Sequence, residues 1–280
     1  MRFNTPLRYP GGKGKLLPFI NNLLTLNGMQ SIHYAEPYAG GAGLALNLLF
    51  KNLSSEIYLN DINPAVHAFW HSVLNESESL CNLISQTEVT IDEWHKQKKI
   101  ISTPYEQDTL SLGFATFFLN RTNRSGILKG GVIGGKKQDG KWKLDARFNK
   151  DDLIKRIIRI ASQKEHIHLS NMDASDFLDL VVKNLPSNSL TYLDPPYFIK
   201  GKGLYENHYE LNDHAHIAKK VTNELSTPWI VSYDNVAEIN EMYAASKNLM
   251  YGINYSAQHR YIGSEIMYFS ESLKIPKSVG

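Results

Sequence analysis

The chain reads as an α/β fold with a sheet of about seven strands, helices between most of them, and one mainly helical, basic insertion. Three observations point there. Short apolar runs of strand length recur, several ending in an acid or a glycine-rich turn and leading into helical spacing. That alternation stops between Ala65 and about Glu165, where helical segments and a glycine- and cation-rich stretch take over. It resumes at His166 and continues to Phe269.

At 280 residues the chain can bury a sizeable core, as one large domain or a domain with an insertion. Its 42% hydrophobic and 21% charged content belongs to a globular protein rather than a disordered or fibrous one. With Cys81 as its one cysteine no internal disulfide can form, which fits a reducing compartment. Cys81 has no Pro-Cys or Cys-His setting and reads as structural. No apolar run reaches about 18 residues, so no membrane span is expected. The start, Met1-Arg2-Phe3-Asn4-Thr5-Pro6, holds no apolar signal core, and a cytoplasmic location is expected. The net charge of +2 hides an asymmetry. From Arg121 to Arg159 there are 12 Lys/Arg against four Asp, or +8, leaving about −6 elsewhere. A basic middle in a mildly acidic chain suits a polyanion.

In order, Pro6-Leu7-Arg8-Tyr9-Pro10-Gly11-Gly12-Lys13-Gly14-Lys15 is a Gly-, Pro- and cation-rich loop. Leu16, Leu17, Phe19, Ile20, Leu23 and Leu24 follow at helical spacing. Such a loop opening a helix presents backbone N–H groups, and Lys13 can meet a carboxylate or a phosphate. It is no Walker A loop, because Gly-x4-Gly-Lys-Ser/Thr is absent. Ile32 to Glu36 then reads as a strand, Pro37 to Gly43 as a Gly-rich turn and Leu44 to Phe50 as a helix, the first strand–loop–helix of a nucleotide-type fold. Leu46 stands where a third glycine of Gly-x-Gly-x-x-Gly would fall. Glu36 at the strand end would repel a pyrophosphate, so a cationic ligand fits better.

A second strand, Ile57 to Asn60, ends at Asp61, the position from which an acid holds ribose hydroxyls. Asn63-Pro64 opens a helix as cap and first residue. Helices are expected at Ala65–Leu74, Asp92–Ile100, Gln107–Leu119 and Asn149–Gln163, the last with Leu153, Ile154, Ile157, Ile158 and Ala161 on one face. Between them, Asn120 to Lys143 reads as an exposed hairpin or loop. Its Arg and Lys would neutralise phosphates, and its Asn, Arg and Thr would read base edges. His166–Leu169 is a third strand and Asp173–Lys183 a helix. Pro228–Tyr233 is a fifth strand between helices near Asp213–Ser226 and Asn235–Ser246. Leu249–Tyr255 and Glu265–Phe269 close the sheet as an antiparallel pair.

The fourth strand, Leu190 to Leu193, carries the chemistry. It ends in Asp194-Pro195-Pro196-Tyr197. The end of such a strand is where ligands bind in an open α/β sheet. The prolines fix two φ angles and lack N–H groups, while their carbonyls still accept. One turn thus offers a carboxylate, a bare carbonyl and an aromatic face. That set grips a planar base bearing an exocyclic amine: Asp194 and the Pro195 carbonyl accept its two N–H bonds, and Tyr197 stacks. Accepting both hydrogens raises electron density on a weakly nucleophilic nitrogen as it bonds to an electrophile. The plain alternative is a Pro-Pro turn with Asp194 as a helix cap. The ten histidines form no metal set: His33, His166 and His168 lie in strand patterns, and His214 and His216 point to different helix faces.

Four segments in order, Arg8-Tyr9-Pro10-Gly11-Gly12-Lys13, Glu36-Pro37-Tyr38-Ala39-Gly40-Gly41, Asn60-Asp61-Ile62-Asn63 and Asp194-Pro195-Pro196-Tyr197, resemble the Dam-like DNA adenine methyltransferases. Phe118-Leu119-Asn120-Arg121 looks like that family's DNA-contacting hairpin, and the resemblance covers roughly residues 6 to 270. It implies a Rossmann-like S-adenosylmethionine-dependent sheet over 1–64 and 166–280, and a DNA target-recognition insertion over 65–165 with a basic hairpin near 120–143. It implies S-adenosyl-L-methionine as methyl donor and no metal. Tyr9, Lys13, Glu36, Tyr38, Ala39, Gly40, Gly41, Asp61, Asp173 and Asp194 would bind the cofactor, Lys13 near its carboxylate. Asp194, Pro195 and Tyr197 would hold an adenine flipped from double-stranded DNA. Arg121, Asn123, Arg124, Lys129, Lys136 and Lys137 would contact DNA. A partner restriction endonuclease and a monomeric or weakly dimeric state are compatible with it. The family's GATC-specific members carry an aromatic and an Arg where this hairpin holds Arg124 and Lys129, so GATC is not assigned. Transfer to the cytosine amine ranks below adenine, since such turns more often carry Ser at position 194. A non-catalytic binding module and a NAD oxidoreductase rank below both.

Overall fold

The structure, a computed structural model, describes residues 4–9, 11–198, 209–255 and 261–279. Pro10 of the first motif lies outside the described residues. A 3-10 turn, Lys13–Leu16, leads into α1, Leu17–Leu26, with Pro18 in the first turn, where its missing N–H costs nothing. After α1 the Asn27 amide donates to the Leu23 and Lys274 carbonyls and accepts the Lys274 N–H. Next come β1, Ile32–Glu36, then α2, Gly43–Phe50, and β2, Ser54–Asn60.

Asn63 accepts the Ala65 N–H and starts α3, Pro64–Asn75. The helix α4, Ser77–Gln86, was not anticipated; its sequence is polar, and Leu80 and Ile84 carry its buried side. Thr90, Asp108 and Asn149 cap α5, Ile91–Ser102, α6, Thr109–Thr122, and α7, Lys150–Ala161. Then follow β3, Ile167–Ser170, and α8, Ala174–Leu180, shorter than expected because a 3-10 turn, Val182–Asn184, finishes it. The last elements are β4, Ser189–Leu193, α9, Leu211–Asn223, β5, Trp229–Asp234, α10, Ala237–Met242, β6, Lys247–Tyr255, and β7, Tyr261–Phe269.

The strands form one seven-stranded mixed sheet in the order β3-β2-β1-β4-β5-β7-β6. β1 pairs in parallel with β2 and β4, and β4 with β5. β7 runs antiparallel to both β5 and β6. The order reverses direction between β1 and β4, so the crevice beyond their C-terminal ends is the switch point of the sheet.

The chain divides into two compact units, Met1–Gly12 with Ile62–Asn171, and Lys13–Asp61 with Met172–Gly280. In the first, α3 and α6 meet at Gly113, where an added Cβ would lie 2.5 Å from Ser72 Oγ and 2.7 Å from the Ala68 carbonyl. Phe69 stacks on Phe117 at 6.1 Å, and Phe148 meets Phe117 edge-on at 5.4 Å. In the second, Phe177, Leu178, Leu193, Ile217, Val231 and Tyr233 share one buried cluster. Asn60, fully buried, ties its loops: the amide donates to the Pro37 and Met172 carbonyls and accepts the Met172 N–H. Asn60→Ala is expected to cost ~2–4 kcal/mol in chemical denaturation, because buried backbone groups are left unpaired.

Candidate active site

β4 is buried throughout, and its C-terminal end delivers Asp194 into a set of polar partners. Lys13 Nζ lies 2.9 Å from Asp194 Oδ1 and donates at 2.9 Å to the Tyr197 hydroxyl. Ser232 of β5 donates to the same Asp194 oxygen at 2.9 Å. Asp234, ending β5, accepts the Phe198 N–H at 3.0 Å and so fixes the chain just after the Pro-Pro pair. Burial raises the Asp194 carboxyl above its ordinary range, and the Lys13 ammonium pulls the other way. Glu265 of β7 lies 3.9 Å from Lys13 Nζ and accepts from the Tyr251 hydroxyl at 2.7 Å. Asp194, Tyr197, Lys13, Ser232 and Glu265 thus meet within the second unit, around the C-terminal end of β4.

Glu36 ends β1 as a second buried acid. Its carboxylate accepts from the Tyr34 hydroxyl at 3.0 Å and from the Ala45 N–H at 3.2 Å. The latter is an early N–H of α2, whose own cap residue, Ala42, has no side chain to satisfy it. Burial pushes the Glu36 carboxyl up to about 8, a setting that a nearby cation would relieve. The Gly40 N–H donates to Asp61 Oδ2 at 2.9 Å, and the Ala39 N–H to the Asn60 carbonyl at 2.8 Å. Gly40 (φ 45°) and Ala42 (φ 47°) are both left-handed, so the turn folds back over its own backbone. Gly41 lies between them. The Tyr38 hydroxyl bonds that of Tyr209 at 3.0 Å. Asp173 caps α8 by accepting the Ser175 N–H. Acids therefore follow β3, β2, β1 and β4 in turn: Asp173, Asp61, Glu36 and Asp194. The set is acidic, and the buried Glu36 carboxylate within it is held by neutral groups, which fits a cationic sulfonium cofactor with a ribose. Among the described residues no group of three or more His, Cys, Asp or Glu side chains is placed to hold a metal ion.

In the first unit, α6 runs into a loop closed by one bridge, Asn123 to Val132, and by the Ile133 N–H on the Thr122 carbonyl at 2.8 Å. Arg124, Lys129, Lys136 and Lys137 are exposed on it. Asn123 is fully buried. It accepts from Trp94 Nε1 at 2.7 Å and donates to the Ile127 and Leu128 carbonyls at 2.9 Å, which shapes the loop from inside. Arg121 donates to the Arg147 carbonyl at 2.7 Å and the Pro6 carbonyl at 3.3 Å, and burial lowers its guanidinium to about 9. Trp142 is 60% exposed, with Lys141 Nζ and Arg147 Cζ at 5.8 and 6.0 Å from its ring. Beside it a cavity of about 400 Å³ is lined by Arg124, Ile133, Gly134, Gly135, Lys141 and Trp142. The Tyr9 carbonyl, also in this unit, accepts the Gly12 N–H at 3.1 Å.

The sequence reading did not single out Ser232, Glu265 or Tyr251. A signal for Glu265 was present, since a lone charge before Ile266-Met267-Tyr268-Phe269 in a strand is rare unless paired.

A model of the D12 class N6 adenine-specific DNA methyltransferases matches residues 9–257. Among curated proteins, the modification methylase StsI of Streptococcus sanguinis is 23% identical over 207 residues, which cover 70% of this chain and 29% of that protein. The chain thus spans less than a third of that relative's length. Among solved structures, a candidate RNA methyltransferase of Pyrococcus horikoshii is 12% identical, covering 94% of this chain and 85% of its own at a TM-score of 0.43. The rRNA methyltransferase aviRa of Streptomyces viridochromogenes is 11% identical, covering 92% and 83% at a TM-score of 0.37.

Proposed function

The chain belongs to the D12 class N6 adenine-specific DNA methyltransferase family, and from that premise we propose that it transfers a methyl group from S-adenosyl-L-methionine to the exocyclic amine of an adenine flipped out of double-stranded DNA. The observation that carries this is the strand-end cluster in which Lys13 and Ser232 hold Asp194 beside Tyr197. S-adenosylmethionine supplies an electrophilic methyl group on a cationic sulfur. Asp194 and the Pro195 carbonyl accept the amine hydrogens, and Tyr197 packs on the base. Because the donor is already electrophilic, placement matters more than a strong base.

Glu36, Tyr38, Ala39, Gly40, Gly41, Asp61 and Asp173 hold the cofactor in this reading, with Glu36 at its cationic part and Asp61 at its ribose. Tyr9 and Lys13 join them, Lys13 also serving the Asp194 cluster. Arg124, Lys129, Lys136 and Lys137 meet phosphates, and Trp142 between its cations offers a stacking face. Arg121 and Asn123 act by holding the loop in shape. The catalytic part corresponds to 1–64 and 166–280, and the target-recognition part to 65–165. A companion endonuclease and a cytoplasmic site of action accord with the family. The test is transfer of labelled methyl groups to DNA lacking adenine methylation, followed by digestion to nucleosides. Label in methyladenine supports the reading, and label in methylcytosine or in nothing overturns it.

Glu36 gives a proton-linked test. With its carboxyl pushed up to about 8, the ligand-free chain holds this proton at neutral pH. A bound cation favours the carboxylate, so cofactor binding near pH 7 is expected to release a proton. Calorimetry in buffers of different ionisation heat reads that release, and Glu36→Gln should abolish it. In the ligand-free chain the stabilising contribution of this group is complete below pH 4.5 and is lost as pH rises toward 8, so Glu36→Gln should flatten that fall.

A further inference from the structure

Lys13 stands between two carboxylates, and the reaction as described uses one of them. Its ammonium holds Asp194 and the Tyr197 hydroxyl, both at 2.9 Å, with Glu265 at 3.9 Å. Glu265 is fully buried on β7 and takes the Tyr251 hydroxyl of β6. Glu36 and Tyr34 on β1, Tyr192 on β4 and Tyr233 on β5 are further titratable groups whose fields reach this cluster.

Asp194 must grip an amine whose nitrogen gains positive charge as its bond to the methyl carbon forms. An ammonium already on the same carboxylate oxygen opposes that charge, since like charges a few ångströms apart repel strongly where water is scarce. It also lowers the affinity of Asp194 for a proton at the moment that affinity is useful. Moving the ammonium into bulk water would take its charge away from the buried Glu265 carboxylate, at a cost.

We propose that Glu265 is a positioning residue for methyl transfer: it gives the Lys13 ammonium a second seat, so that this cation passes from Asp194 to Glu265 when the target amine arrives. The inference rests on the methyl-transfer reading above. Lys13 stays paired throughout, Asp194 keeps Ser232, and the vacated position takes the amine N–H. The amine nitrogen then bonds to the methyl carbon as the carbon–sulfur bond breaks, with that electron pair going to sulfur. The proton the nitrogen sheds is taken up by the Asp194 carboxylate and passed to water.

The experiment is single-turnover methyl transfer by the full chain with saturating S-adenosylmethionine and unmethylated duplex DNA, comparing wild type, Glu265→Gln and Glu265→Asp. DNA affinity by fluorescence anisotropy and the melting temperature are measured beside it. The Gln variant keeps the Tyr251 hydrogen bond but offers no charge. Its transfer rate is expected to fall by up to about a hundredfold, while DNA affinity and melting temperature hold. The Asp variant retains the charge and should recover most of the rate; it carries the test if the neutral residue unfolds the strand. A folded Gln variant that keeps the wild-type rate overturns the inference alone, as does an Asp variant that loses as much rate as the Gln variant. A wild-type chain that methylates no adenine overturns the reading and the inference together.

Discussion

Asp194→Ala is expected to lower methyl transfer to adenine on the order of a thousandfold, with binding to DNA retained. The expectation follows from where the carboxylate stands. It ends a fully buried strand, takes Ser232 and Lys13 on one oxygen, and is followed by a turn that Asp234 fixes through the Phe198 N–H. The side chain is thus aimed before any base arrives, and its loss removes an acceptor where charge develops. The DNA contacts proposed for Arg124, Lys129, Lys136 and Lys137 lie on the other unit and should persist. Single-turnover rates and anisotropy on the same preparations separate the two quantities. An alanine variant that transfers methyl at the wild-type rate would refute the role given to Asp194.

Gly113→Ala is expected to destabilise the chain by up to about 2 kcal/mol, as overpacking near the top of its ~1–3 kcal/mol range outweighs the ~1 kcal/mol that alanine normally gains in a helix. The new methyl would lie 2.7 Å from the Ala68 carbonyl, a backbone atom of α3 that cannot step aside alone. Thermal unfolding should show a fall of several degrees. A variant as stable as wild type would mean that α3 and α6 separate more easily than their packing indicates.

Much of this was legible in the residues because strand ends are punctuated. Glu36, Asp61 and Asp194 each follow an apolar run, and each stands at the C-terminal end of a strand of the sheet, Glu36 as its last residue and the other two just past it. Pairing order was not legible. Local alternation reports that a strand exists, while its neighbours depend on crossovers between distant segments. That is why the lone charge at Glu265 did not name its partner, Lys13, which the antiparallel β7, set between β5 and β6, brings to it. Polar side chains were the other blind spot. Asn123 and Arg121 sit in a Gly- and cation-rich stretch, so composition reads them as groups facing DNA. In the folded chain Asn123 joins Trp94 to two carbonyls and Arg121 holds two more. Nothing in a single sequence separates an amide that meets solvent from one that satisfies a loop.

The Asn27 amide has a consequence for how the protein ages. Asn27 precedes Gly28, and an Asn-Gly pair is the peptide bond most open to spontaneous deamidation, because glycine leaves the attacking backbone nitrogen uncrowded. Here the amide nitrogen is held by the Leu23 and Lys274 carbonyls, which slows that chemistry while the segment after β7 stays docked. Once deamidated, position 27 would present a carboxylate to those two carbonyls, an acceptor facing acceptors. The clasp would then lose its two donor bonds and keep only the Lys274 N–H, so it delays its own decay and, after decaying, cannot close again in full.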